Sequence, residues 1–444
     1  MGVWSRTVVR DEHGVLTVGG MDVRTLAAEH GTPLYVVDED DFRARAAGFR
    51  DHFTAAFGRH RAKVDVFYAG KAFLASQVAG WMREEDLCLD VASRGELEIA
   101  LRGGMPPERI GLHGNNKAED ELRRALSVGV GRIIVDSFTE IEVLDALARE
   151  MGVTAPVLVR VTTGVHAGGH EYIATSHEDQ KFGLSLASGA AYDAMLACHD
   201  AVGLNLLGIH THIGSQILSI DAFRESADRM LRLRAAFMAD TGAELPEVDL
   251  GGGYAIAYTE DAEALEPSVA AYEIADAVAS VMDPIGGQWP RFSIEPGRAI
   301  AGPAGLTLYS VGVTKDVKLD EGGSRQYVAV DGGMSDNPRT IMYGAQYHAE
   351  VVSRVSDAPA TLSRVVGKHC ESGDIIVRDV QLPEDTRRGD LLAVAATGAY
   401  GRSMASTYNA ALRPAVVAVR DGASKVLVRR DTLEDLLSWD VAGD

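Results

Sequence analysis

The sequence predicts an α/β protein: a (β/α)₈ barrel of the TIM type followed by a second, mostly-β domain. Three observations carry that reading. Short apolar runs alternate with helix-periodic stretches through the first two-thirds of the chain. Eight such units suit closure into a barrel; a doubly wound open sheet is the alternative for the same alternation. After about residue 305 the texture changes to β-rich runs with few helical stretches.

The eight runs are 64–69 (VDVFYA), 87–92 (LCLDVA), 110–113 (IGLH), 132–136 (RIIVD), 156–161 (PVLVRV), 206–213 (LLGIHTHI), 248–250 (VDL) and 292–295 (FSIE). Helical periodicity lies between most of them, as in 94–102 and 138–150. The later β-like runs are 326–330, 374–379, 390–396, 415–420 and 426–430, closed by a short amphipathic helix near 431–439. Residues 1–33 are strand-like and polar and are expected to join the β-domain, because chain ends often meet. The expected domains are therefore 1–33, 34–304 for the barrel and 305–444 for the β-domain.

A chain of 444 residues can bury both a barrel and a second core. The net charge is −21 and no basic stripe is visible, which argues against a nucleic-acid partner. An anion must then be captured locally, by a few basic groups or by backbone N–H donors. No apolar run approaches the length of a membrane span, and the start lacks a basic-then-apolar secretory pattern. Cys88, Cys198 and Cys370 show no CxxC spacing, which argues against a disulfide framework and a zinc site. The expectation is a cytoplasmic protein with no metal and no membrane partner.

In a barrel the active site forms at the C-terminal ends of the strands. Lys71 follows the first run, and Asp90 stands near the end of the second. His113 and Asn115 follow the third, Asp136 the fourth, and Arg160 lies in the fifth. His212 closes the sixth, Gly251, Gly252 and Gly253 follow the seventh, and Glu295 closes the eighth. Alone, each has a plain reading: a surface lysine, a helix-capping acid before Pro296, a flexible turn, a structural histidine. Together they match what pyridoxal phosphate needs from a protein. Lys71 offers the Schiff-base amine and Glu295 a carboxylate for the pyridine nitrogen. The glycines offer a close approach and donors for phosphate, and His212 a flat face for the ring. The stretch 162–180 is long and polar and reads as an active-site loop; His166, His170 and His177 in it have no assigned role.

The segments YAGKAF, LDVASRGEL, HGNNK, EDQKFG, HIGSQ, DLGGG, EPGR, KHCESGD and GAY occur in this order from about residue 30 to 420. They resemble the diaminopimelate decarboxylases, a branch of the barrel-type pyridoxal-phosphate decarboxylases that also holds ornithine and arginine decarboxylases. The resemblance implies catalytic roles for Lys71, Glu295, His212 and Cys370, with Cys370 a proton donor. It implies cofactor contacts for Asp90, Ser215, Gly251, Gly252, Gly253, Gly297 and Tyr400. It implies substrate contacts for Arg298, Arg339, Tyr343, Glu371 and Tyr400. It further implies a homodimer in which Cys370 and Glu371 enter the partner's site. The implied reaction is meso-2,6-diaminopimelate to L-lysine and CO₂, because arginines suit a distal carboxylate that ornithine lacks. A decarboxylase of another basic amino acid (ornithine, arginine or carboxynorspermidine), or a non-catalytic pyridoxal-phosphate-binding protein, is the alternative.

Overall fold

The computed structural model describes residues 2–165 and 181–441, and the chain forms two compact units. Most of the 162–180 stretch, with His166, His170 and His177, lies outside the described residues.

One unit comprises residues 45–255 and 263–299. It holds eight parallel strands: β1 (Val64–Ala69), β2 (Cys88–Val91), β3 (Ile110–Leu112), β4 (Arg132–Val135), β5 (Ala155–Thr162), β6 (Leu204–His210), β7 (Glu247–Asp249) and β8 (Arg291–Ile294). Each pairs with the next, and β8 pairs with β1, so the sheet closes. This unit is a (β/α)₈ barrel, and the open-sheet alternative is ruled out. Strands covered on both faces read as continuous apolar runs, which is why β4 and the centre of β5 are buried without alternation.

Short connections deliver the chain from strand to helix. Ser93 after β2 and Ser137 after β4 accept bonds from Glu96 N and Glu140 N. The two glutamates reach back to Ala92 N at 2.7 Å and Asp136 N at 3.0 Å, so both loops are closed from both sides. Outside the barrel, Phe49, Phe53 and Phe223 pack around Tyr254, which is 2% exposed.

The other unit comprises residues 1–44, 256–262 and 300–444. Its sheet is built on one 14-residue strand, Gly305–Lys318. This strand pairs antiparallel with Ser324–Val330, with Leu391–Val394 and with Leu34–Asp38. Leu34–Asp38 in turn runs parallel to Ala415–Arg420. A barrel beginning at residue 34 is therefore corrected: all five residues of Leu34–Asp38 are buried between two ladders of the β unit. Near the N-terminus, Val15, Leu16, Val18 and Leu26 share a core with Val36, Leu306 and Val417. The final helix forms over Leu433–Leu437, but Leu433 and Leu437 are exposed rather than buried as an amphipathic helix requires. Among the described residues no helix is long and apolar enough to cross a membrane.

Candidate active site

The C-terminal ends of the barrel strands enclose a pocket lined by Lys71, Asp90, His113, Arg160, His210, His212 and Glu295, among others. Lys71 stands just beyond β1 and is exposed, so its amine is accessible. Asp90, inside β2, and Glu295, just past β8, are buried carboxylates. Burial and the nearby Asp90 charge push the Glu295 carboxyl up to about 7. Burial, then Asp249, raises Asp90 as well. His113 sits between them, its Nε2 3.2 Å from Asp90 Oδ1 and 3.4 Å from Glu295 Oε1. His210 Nε2 comes within 2.9 Å of the same Glu295 oxygen. Burial holds His113 down to about 4, and His210 and His212 well below their usual range, so these imidazoles are neutral.

Arg160 also lines the pocket. The Arg160 guanidinium lies 4.5 Å from the centre of the Phe182 ring, and its Nε is 3.8 Å from Asp136 Oδ1. Asp136 Oδ1 also accepts Gly183 N at 2.8 Å. One step back, Lys117 of HGNNK is buried and donates to Gly114 O, Ile134 O and Glu140 Oε1 at 2.8, 2.6 and 2.5 Å.

The glycine loop after β7 is set by packing against the protein's own backbone. A Cβ on Gly251 would meet Thr211 O at 2.3 Å, one on Gly252 Glu295 O at 2.1 Å, and one on Gly253 Gly214 O at 2.4 Å. Gly251 and Gly253 also have φ of +72° and +107°. Two of the three N–H groups are committed: Gly251 N donates to Asp249 Oδ1 at 2.8 Å and Gly252 N to His212 Nδ1 at 3.2 Å. The second bond fixes the His212 ring. Close by in chain order, Arg298 Nη2 donates to Ser215 Oγ at 2.9 Å. Gly297 packs on Ala69, where a Cβ would come within 2.9 Å of the Ala69 side chain.

The remaining sequence-chosen residues belong to the β unit. Arg339 is 7% exposed and opens the helix Arg339–Tyr343, in which Tyr343 is half-buried. Its guanidinium donates to Tyr347 OH at 2.6 Å and lies 4.9 and 5.9 Å from the ring centres of Tyr258 and Tyr400. Among the described residues no carboxylate pairs with it. Cys370 and Glu371 are exposed. The pocket thus brings together Lys71, Asp90, His212 and Glu295 but is not lined by Arg339, Tyr343, Cys370, Glu371 or Tyr400. Sequence reasoning left His113 and Arg160 without roles and did not single out His210, Phe182 or Glu96. Glu96 was detectable from the Ser93-x-x-Glu96 spacing.

A family model described as the pyridoxal-dependent decarboxylase, pyridoxal binding domain, matches residues 41–302. Diaminopimelate decarboxylase of Mycobacterium tuberculosis is 52% identical over 443 residues, covering 99% of this chain and 98% of that one. The chain belongs to the diaminopimelate decarboxylase family. The Bacillus subtilis member of this family is 43% identical and covers 97% and 96% of the two chains. The crystal structure of the M. jannaschii diaminopimelate decarboxylase in complex with L-lysine matches with a TM-score of 0.90, at 30% identity and 99% coverage of both chains. The match therefore covers the β unit as well as the barrel.

Proposed function

We propose that the protein decarboxylates meso-2,6-diaminopimelate to L-lysine and CO₂ with pyridoxal phosphate, as a cytoplasmic homodimer. The observation that carries this is the pocket's donor set: an accessible lysine amine, buried carboxylates and a neutral imidazole held by the glycine loop all line one pocket. Buried polar atoms there favour a polar ligand: Asp90 Oδ2, His113 Nε2 and Glu295 Oε1 have no aligned hydrogen-bond partner among the described residues. The residues therefore fit the cofactor. When bound, it supplies a ring that accepts the electron pair left as the bond from Cα to the carboxylate breaks.

The chain's residues do the rest. Lys71 tethers the cofactor through its amine and releases product at the end of the cycle. Glu295 holds a proton on the ring nitrogen; an ion pair at about 4 Å is worth roughly 4 kcal/mol at an effective dielectric near 20. His212 offers its imidazole face to the ring, and Asp90 shares the buried base of the site. Ser215, the Gly251–Gly253 loop and Gly297 would take the phosphate, and the family resemblance adds Tyr400 as a further contact. Within the loop Gly253 is the candidate donor, since the other two N–H groups are taken. Arg298, Arg339, Tyr343 and Tyr400 take the substrate's carboxylates, and Glu371 its distal ammonium. Cys370 delivers the proton to Cα. The M. jannaschii relative was crystallised with L-lysine, the product this reading assigns.

Lys71→Ala tests the cofactor assignment. The variant should lose turnover and the visible absorbance of bound pyridoxal phosphate, while its thermal melting stays near wild type. Near-normal activity in the variant would contradict the role of Lys71.

A further inference from the structure

His210 ends β6 and is fully buried. It is in register with Asp249 of β7, which is in register with Ser293 of β8, two residues before Glu295. That line across three strands brings the His210 imidazole to the Glu295 carboxyl, 2.9 Å from Nε2 to Oε1. His113 packs edge-on against His210, with ring centres 5.2 Å apart and planes at 71°. The His210–Glu295 spacing is that of a hydrogen bond, but the alignment is not: His210 Nε2 and Glu295 Oε1 have no aligned partner among the described residues. Such bonds in catalytic sites often align only when the ligand arrives.

We propose that His210, steadied by His113, is a positioning residue for Glu295: a neutral imidazole that donates its Nε2 proton to Oε1 and holds the carboxylate as an anion for the cofactor's ring nitrogen. This rests on the cofactor reading above.

The need follows from the surroundings of Glu295. Asp90 and Asp249 are buried near it and disfavour its charge, while the Lys71 and Arg160 cations favour it. The outcome is a carboxyl pushed up to about 7, largely by burial, so that its charged form is disfavoured. A protonated acid cannot form the ion pair that the ring nitrogen requires. A cationic partner would stabilise the anion but cancel its pull on that nitrogen. A neutral N–H donor stabilises the anion and leaves its charge in place. Burial keeps both imidazoles uncharged, so His210 and His113 meet that requirement. A hydrogen bond to a charged group of this kind corresponds to roughly ten-fold to a hundred-fold in binding.

The test is titration of pyridoxal phosphate into apoprotein, followed by visible absorbance, for wild type, His210→Phe and His210→Gln. Phe keeps the volume without a donor, and Gln keeps an N–H near the Nε2 position. His210→Phe should lose roughly ten-fold to a hundred-fold in cofactor affinity and shift the pH titration of the absorbance band. His210→Gln should recover most of both, and the apoprotein of each should melt near wild type. Wild-type affinity and an unshifted band in His210→Phe would overturn the proposal. So would equal losses in both variants with lowered melting, which would mark His210 as a packing residue. Absence of a band in wild type would instead sink the cofactor reading itself. His113, His210 and Glu295 also place one ligand atom each within 4.8 Å of one another, a spacing that could grip a cation. A wild-type spectrum that changes on adding EDTA would overturn the hydrogen-bond role; an unchanged one supports it. Should His210→Phe not fold, ¹⁵N-histidine NMR of wild-type holoenzyme decides. His210 should stay neutral and Nε2-protonated from about pH 6 to 8, and an imidazolium or the Nδ1–H tautomer would overturn the proposal.

Discussion

Arg339 is buried against tyrosines, with no acid beside it among the described residues. A desolvated guanidinium in that setting is suited to a carboxylate that arrives with the substrate. Removing one partner of such a pair costs roughly 3–5 kcal/mol. Arg339→Ala should therefore lower kcat/KM for diaminopimelate by on the order of a hundred-fold to several thousand-fold. Inhibition by L-lysine should weaken in parallel, because the product keeps the distal carboxylate. Inhibition by cadaverine, which has none, should stay nearly unchanged. An equal loss with cadaverine would assign Arg339 to the scaffold. Lys71 and Glu295 were legible in the sequence because each follows a recognisable strand and carries a chemistry the cofactor needs. His210 was not: on a buried strand a histidine reads as core, and only the barrel register brings it to Glu295.

At the scale of elements, all eight barrel strands were legible, because burial on both faces leaves continuous apolar runs between helical stretches. The longest strand was not. Gly305–Lys318 is buried through Tyr309 and mostly exposed from Gly312 onward, so its pattern fades along its length. Leu34–Asp38 was ambiguous for the opposite reason: five buried residues carry no alternation to say which sheet they join. HGNNK was visible as a motif, and the structure gives its lysine a job. Lys117 ties the segment after β3 to β4 and, through Glu140, to the helix Phe138–Met151. Lys117→Met should strand Glu140 in the interior and cost roughly 3–5 kcal/mol in chemical denaturation. Arg123→Ala, which removes an exposed pairing with Glu119 and Glu150, should cost about 0–1 kcal/mol. Similar values for the two would contradict a buried anchoring role for Lys117.

At the scale of the whole molecule, the proposed donor Cys370 and its neighbour Glu371 are exposed, as are Ile341 and Met342. Gly373 lies against Ile341, so these residues form one surface of the β unit. A dimer that buries this surface would deliver Cys370 and Glu371 to a partner's pocket. Mixing Lys71→Ala chains with Cys370→Ala chains, each inactive alone, should then restore up to about a quarter of wild-type activity after random exchange. Half of the dimers are mixed, and one of their two sites is whole. No recovery despite proven exchange would contradict a shared site. Purified protein supplied with pyridoxal phosphate and meso-diaminopimelate should release L-lysine and CO₂ in equal amounts. It should yield little or no decarboxylated amine from ornithine, lysine or arginine. Absence of lysine, or a kcat/KM for one of those amino acids matching that for diaminopimelate, would contradict the assignment.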